Sequence, residues 1–175
     1  MTTMRSLVAD RSGEPSEVLH LQARRIPEPG PGEVRIRVAA VPVHASDLHT
    51  IRGRYGFTPE FPTVPGIESV GVIDELGSGT DGLTVGRRVI TIGVTGTWQE
   101  YVVADAGRVL PVPVGMSDST AAQILSNPLT AVFFAVLTPT PVATGTVFAT
   151  FSGTVTTFES ASPSLVLNVN VSGPA

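Results

Sequence analysis

The chain of 175 residues contains no cysteine and no lysine. Without a thiol there is no disulfide, no thiolate nucleophile and no cysteine-held metal. Without lysine there is no Schiff-base chemistry, and all eleven basic residues are arginine. Charge is also missing from the C-terminal part. The 67 residues after Arg108 carry Asp118 and Glu159 alone, against eleven arginines and thirteen of the fifteen acids up to and including Arg108. That shift marks an organisational boundary. Long apolar runs are absent too: Ala131 to Leu137, the longest, is too short to span a bilayer. The opening MTTMRSLVADRSGEP lacks the apolar core of a secretory signal, so a cytoplasmic location is expected. A formal net charge of −4 points neither to nucleic acid nor to an anionic membrane as partner.

What is present is globular. Apolar residues make up 42% of the chain and mean hydropathy is +0.27. Eighteen glycines and fifteen prolines suit many short strands and turns better than a helical bundle. Strands are expected over 6–9, 18–23, 33–38, 68–76, 88–92, 99–104 and 109–112. In Glu33-Val34-Arg35-Ile36-Arg37-Val38 the period-two alternation turns Val34, Ile36 and Val38 to a core. That rhythm predicts a mainly β fold built as a closed or partly closed barrel. A turn or two of helix is expected over 46–53, capped by Ser46 or Asp47, and one or two helices near 117–137: one from Ser117 or Asp118 to about Leu125, and a buried one from Leu129 to Leu137 after a break at Asn127-Pro128. Beyond them, 145–158 and 165–171 alternate as two more strands, and no solenoid repeat is visible.

The richest stretch is VPVHASDLHTIRGRYGFTPEFPTVPGIESVGVID, residues 41–74. It holds His44 and His49, Tyr55, and Glu68 directly after Pro65-Gly66-Ile67, all broken up by turn residues. Polar loops set between strands are where sites usually sit. This stretch resembles the catalytic-domain signature of the medium-chain dehydrogenase/reductase superfamily, V-x-x-x-S-D-L-x-x-x-x-G-x-Y followed by V-P-G-x-E-x-V-G-V. Pro31-Gly32-Glu33-Val34, Gly86-Arg87-Arg88-Val89, Gly96-Thr97-Trp98-Gln99-Glu100-Tyr101-Val102 and Asn127-Pro128-Leu129-Thr130-Ala131 extend the likeness over residues 4–137. Gly53-Arg54-Tyr55-Gly56 and Asn127-Pro128-Leu129-Thr130 are most similar to the zinc-independent branch, the quinone oxidoreductases and 2-enoyl-thioester reductases.

The resemblance implies a GroES-like, partly closed β-barrel over 1–137, with 138–175 completing or covering it as a β-rich tail. It implies no metal, since zinc-dependent relatives place cysteine where His44 stands and histidine where Ile67 stands. Tyr55 would occupy the position of the proton donor of enoyl-thioester reductases, with His44 and Glu68 as supporting catalytic groups. Trp98, Phe57 and Ile67 would line the substrate pocket. Asn127 would lie on the nicotinamide side, useful if a nucleotide is supplied. A small, mostly apolar carbonyl or enone-like molecule is the expected partner. Against these roles stand plainer ones: His44 as a hydrogen-bonding loop residue, Glu68 as a buried structural carboxylate, and Tyr55 as a turn aromatic over Phe57 and Phe61. His49 and Arg54 read as solvent-facing, and His20 as a strand residue without special role.

Gly77-Ser78-Gly79-Thr80-Asp81-Gly82 matches G-x-G-x-x-G but runs on into a strand, whereas a nucleotide fingerprint must open a helix. The 38 residues after Leu137 show no amphipathic helix and no phosphate-binding glycine turn. The NADPH domain of full-length relatives is therefore expected to be absent, and no cofactor is expected on this chain alone. Three readings stay open: a truncated reductase dependent on another chain for its nucleotide, a cofactor-free isomerase, cyclase or ligand-binding protein, and a non-catalytic module. Homo-oligomerisation is compatible with each.

Overall fold

A computed structural model of the protein describes residues 2–137, and α4 side chains as far as Val132. Strands β1 (Thr3–Ala9) and β2 (Leu19–Arg25) form an antiparallel hairpin whose connection contains a single-turn helix, α1 (Pro15–Val18). The other strands are β3 (Glu33–Ala40), β4 (Val70–Leu76), β5 (Arg88–Thr91), β6 (Tyr101–Asp105) and β7 (Val109–Pro111). They form one antiparallel sheet in the order β6-β3-β4-β5-β7. Helix α2 (Ala45–Ile51) lies between β3 and β4, a 3₁₀ turn (Ala106–Arg108) precedes β7, and α3 (Asp118–Ala121) and α4 (Ser126–Leu137) follow it.

The mainly β expectation holds, but among the described residues the strands form two sheets and not a closed barrel. The hairpin is stitched to the larger sheet through β1. Leu7 N–H donates to the Trp98 carbonyl at 2.9 Å, Glu100 N–H to that of Arg5 at 3.1 Å, and Ala9 and Thr63 exchange two bonds at 2.8 and 2.9 Å. The alternation in β3 does what its pattern predicts. Val34 and Ile36 are fully buried and Val38 packs beside them against Ile73, Val89 and Val102. Each such aliphatic side chain contributes about 1.5–3 kcal/mol on burial. Two register shifts between β3 and β4 give the sheet its curl. A second core, Ala9, Val18, Ile51 and Trp98, joins the hairpin to α2; a third, Val70, Ile90, Ala121 and Ala122, seats α3 on the sheet.

Several local expectations are corrected. Residues 15–18 are helical, because Pro15 fits a first turn and Val18 turns into the second core. The cap of α2 is His44, not Ser46 or Asp47. Ser117 caps α3, accepting from Thr120 N–H at 3.2 Å, yet α3 is over by Ala121. Pro128 does not break a helix but sits in the first turn of α4, where a missing N–H costs nothing. In the part of α4 whose side chains are described, Leu129 and Val132 are exposed; the rest of the expected buried helix, residues 133–137, lies outside the described side chains. The expected tail strands at 145–158 and 165–171 lie outside the described residues.

Candidate functional site

The 52–69 loop, between α2 and β4, carries Tyr55, Phe57, Ile67 and Glu68. Its last turn is fixed by Gly66, at φ +95°, whose Cα faces the side chains of Thr97 and Trp98 so closely that no Cβ would fit. That turn aims Glu68 into the protein. One carboxylate oxygen, Oε2, lies 2.7 Å from Nε2 of His44; the other, Oε1, accepts from the backbone N–H groups of Leu125 at 3.2 Å and Ser126 at 3.0 Å. Both side chains are buried. Burial works to raise the Glu68 pKa, but the bonds from His44 and Ser126 outweigh it and hold the carboxyl below its ordinary range. An ionised carboxylate can only accept, so Nε2 of His44 carries the proton between them.

His44 is held at its other end by its backbone. Its N–H donates to Oδ2 of Asp47 at 2.8 Å, and its carbonyl receives the N–H of Asp47 and Leu48 at the start of α2. Burial pushes the Asp47 carboxyl up, against the opposing pull of the His44 backbone bond. A line of buried polar groups therefore runs from α2 through Asp47, His44 and Glu68 to the start of α4. Glu68 also places negative charge at an N-terminal helix end, where the backbone dipoles favour it. Asp47 was named in the sequence as a cap; its H-x-x-D spacing after His44, the signature of a reach-back from the third helical position, is the signal that was available.

Tyr55 stands apart from that line. Its side chain is 51% exposed, and its hydroxyl makes no hydrogen bond among the described residues. It meets Phe57, 58% exposed, edge to face, with ring centroids 6.0 Å apart at 78°. Phe61, the other aromatic expected beneath Tyr55, packs into the second core. Ile67 is partly exposed and cannot ligate a metal. Trp98 is buried, with Nε1 donating to the Pro42 carbonyl at 3.3 Å, so it supports the loop from below. Asn127 is half-buried in the first turn of α4, 3.4 Å from Gln123. The surface concavity lined by Arg25, Ile26, Pro27 and Glu28 lies on the β2–β3 connection, not at the 52–69 loop. His20 lies in β2, 3.3 Å from Asp10.

Among the described residues no three His, Cys, Asp or Glu side chains converge as a metal-ligand set. Nor do those residues fit a dinucleotide. The 77–87 loop, with Thr80 Oγ1 bonded to the Gly77 carbonyl, leads straight into β5 without opening a helix.

Residues 30–114 match the alcohol dehydrogenase GroES-like domain. The mitochondrial enoyl-[acyl-carrier-protein] reductase of Xenopus tropicalis is 34% identical over 128 residues, 73% of this chain and 37% of that protein. Among solved structures, a mycobacterial protein complexed with NADPH superposes with a TM-score of 0.69 at 30% identity, over 81% of this chain and 42% of its own. A mycobacterial quinone oxidoreductase gives 0.66 at 29% identity, over 79% and 42%. The chain thus spans less than half the length of each protein it matches here.

Proposed function

Because the chain belongs to the medium-chain dehydrogenase/reductase superfamily through its alcohol dehydrogenase GroES-like domain, we propose that it serves as the substrate-binding half of a zinc-independent reductase. Its substrate is a small, largely apolar carbonyl or enone-like compound of the quinone or 2-enoyl-thioester kind. The observation that carries this reading is the contrast between the His44–Glu68 pair and the aromatic residues of the 52–69 loop. His44 and Glu68 bond to each other and to backbone, whereas Tyr55 is half exposed beside an exposed aromatic ring, its hydroxyl without a hydrogen-bond partner among the described residues.

Phe57 and Ile67 offer apolar contact to a flat conjugated ligand, and Tyr55 O–H donates a hydrogen bond to its carbonyl oxygen. A neutral phenol can stay beside developing negative charge without the cost of burying a charge of its own. NADPH would supply the hydride in a complete reductase. The share proposed for this chain is substrate binding and protonation. Asn127 would meet a nucleotide only if one is supplied from elsewhere.

Ligand-observed NMR of the purified chain with a substituted benzoquinone and with a short 2-enoyl thioester tests this. Magnetisation transfer from the Tyr55 and Phe57 ring protons is expected, and Phe57→Ala should weaken binding about tenfold. No transfer, or an affinity indifferent to Phe57→Ala, overturns the site.

A further inference from the structure

The outer edge of β2 carries backbone groups without a backbone partner among the described residues. In an antiparallel pair, alternate residues of each strand turn their N–H and C=O groups to the partner. Ile26 N–H donates to the Thr2 carbonyl at 3.4 Å, so the even-numbered residues of β2 face β1. The far side of β1 gives the same parity: Arg5, Leu7 and Ala9 turn away from β2, towards Glu100, Trp98 and Thr63. Leu19, Leu21, Ala23 and Arg25 therefore point outward. Leu19 N–H is occupied by the Pro15 carbonyl as it closes α1. The outward N–H and C=O groups of Leu21, Ala23 and Arg25 have no backbone partner among the described residues. The Leu21 side chain beside them is 70% exposed.

We propose that this edge pairs with the same edge of a second copy of the chain, antiparallel about a two-fold axis at Ala23. The proposal is independent of the one made for Tyr55. In this register Ala23 meets its own counterpart, and Leu21 meets Arg25 of the partner subunit on both sides. All three free N–H groups and all three free carbonyls of each copy are then used, in six cross-axis bonds. The neighbouring registers do worse. An axis at Arg24 sets two arginines directly opposite each other, which is destabilising. An axis at Gln22 faces Arg25 with Leu19, whose N–H is already taken, and sets His20 against Arg24 of the partner subunit. The Ala23 axis instead places Gln22 opposite Arg24 of the partner subunit.

Local charge fits as well. Arg25 is paired with Glu28 at 2.9 Å, and Arg24, which has no ion pair among the described residues, meets the neutral Gln22 of the partner subunit and not its own counterpart. The pairing also stops by itself. Leu19 ends it on one side, and on the other Pro27 has no N–H to offer. A self-complementary patch with two closed ends gives an isologous dimer and not a fibre. Three residues a side make a small interface, so weak, concentration-dependent dimerisation is expected.

The experiment uses the full chain. Sedimentation velocity over a dilution series should show monomer and dimer exchanging. NMR amide exchange should show the N–H groups of Leu21, Ala23 and Arg25 protected at high concentration and exchanging freely on dilution. Ala23→Pro deletes an N–H that has no partner among the described residues of one copy and removes two of the six bonds. It should leave the melting profile unchanged while weakening the dimer about tenfold or more. A chain that stays monomeric throughout overturns the proposal. So does a dimer insensitive to Ala23→Pro. Protection of those amides at every dilution also overturns it, and would assign the edge to another segment of the same chain.

Discussion

Glu68→Gln changes one charge in the most heavily bonded buried side chain of the site, and its cost can be worked from the contacts. The amide oxygen of glutamine can still accept from Leu125 and Ser126, although as a neutral acceptor. The amide nitrogen then faces Nε2–H of His44, donor against donor, until the imidazole shifts its proton to the other nitrogen. Charge-assisted bonds are worth about 1.5–3 kcal/mol each, and losing one partner of a buried pair costs more than the pair contributes. A loss of about 2–4 kcal/mol at pH 7 follows. The pH dependence gives the sharper test. The Glu68 pKa is depressed in the fold, so its stabilisation is complete above the ordinary value of 4.5 and is lost as pH falls through the depressed one. Asp47 is raised by burial and runs the other way, its protonation relieving a buried charge as pH falls. Because wild type and variant both keep Asp47, their difference isolates Glu68 to first order. Urea unfolding at a series of pH values from 7 downward should show the gap between them closing in the acid range. A difference below about 0.5 kcal/mol at pH 7, the ordinary scale of surface substitutions, or one that does not change with pH, refutes the assignment.

Asp47→Asn keeps an oxygen for the His44 N–H and should cost well under 1 kcal/mol, whereas Asp47→Ala loses the bond at the start of α2 and should cost about 1–2 kcal/mol by urea unfolding. Gly66→Ala combines a left-handed φ with a Cβ driven into Thr97 and Trp98, so a loss above about 2 kcal/mol is expected, visible as an earlier transition in Trp98 fluorescence. Tyr55→Phe should leave the melting temperature within a degree or two, since the hydroxyl has no partner among the described residues; calorimetry checks this, and a larger shift would give Tyr55 a structural role. Fluorescence titration of the chain with NADPH should give no micromolar affinity, because the 77–87 loop offers no helix N-terminus to a pyrophosphate.

The parts of this fold that were legible in the sequence are those governed by local pattern. The alternation of Val34, Ile36 and Val38, the cap at Ser117 and the rejection of the 77–82 glycines as a nucleotide turn each follow from a few adjacent residues. What was not legible depends on distant ones. Glu68 reaches the backbone of Ser126, 58 positions along the chain, and no local signal announces that a carboxylate from a turn will hold the start of a helix. The apolar composition of 129–137 reads as a buried helix, yet composition does not say what lies alongside, and of its described residues Leu129 and Val132 are exposed. Nor does any local signal announce that Gly66 lets its turn come so close to Trp98 that the indole lies buried beneath it.

The same stretch thus holds two kinds of polar group, one buried and one half exposed, and the function proposed above assigns them different roles. A catalytic donor must reach a ligand, and a structural carboxylate must not be left without partners. Glu68 has three donors and is buried, so its lone pairs are committed to the fold; His44, facing it, is committed with it. Mutating either would disturb the placement of α4 before it touched any chemistry. Tyr55 meets the opposite condition, with an exposed hydroxyl and an aromatic neighbour that can shield one face of a ligand from water. Any activity lost through His44 or Glu68 should therefore be accompanied by lost stability, whereas activity lost through Tyr55 should not. On the function proposed above, that difference is the expected signature of His44 and Glu68 as positioning residues and of Tyr55 as the group that meets substrate.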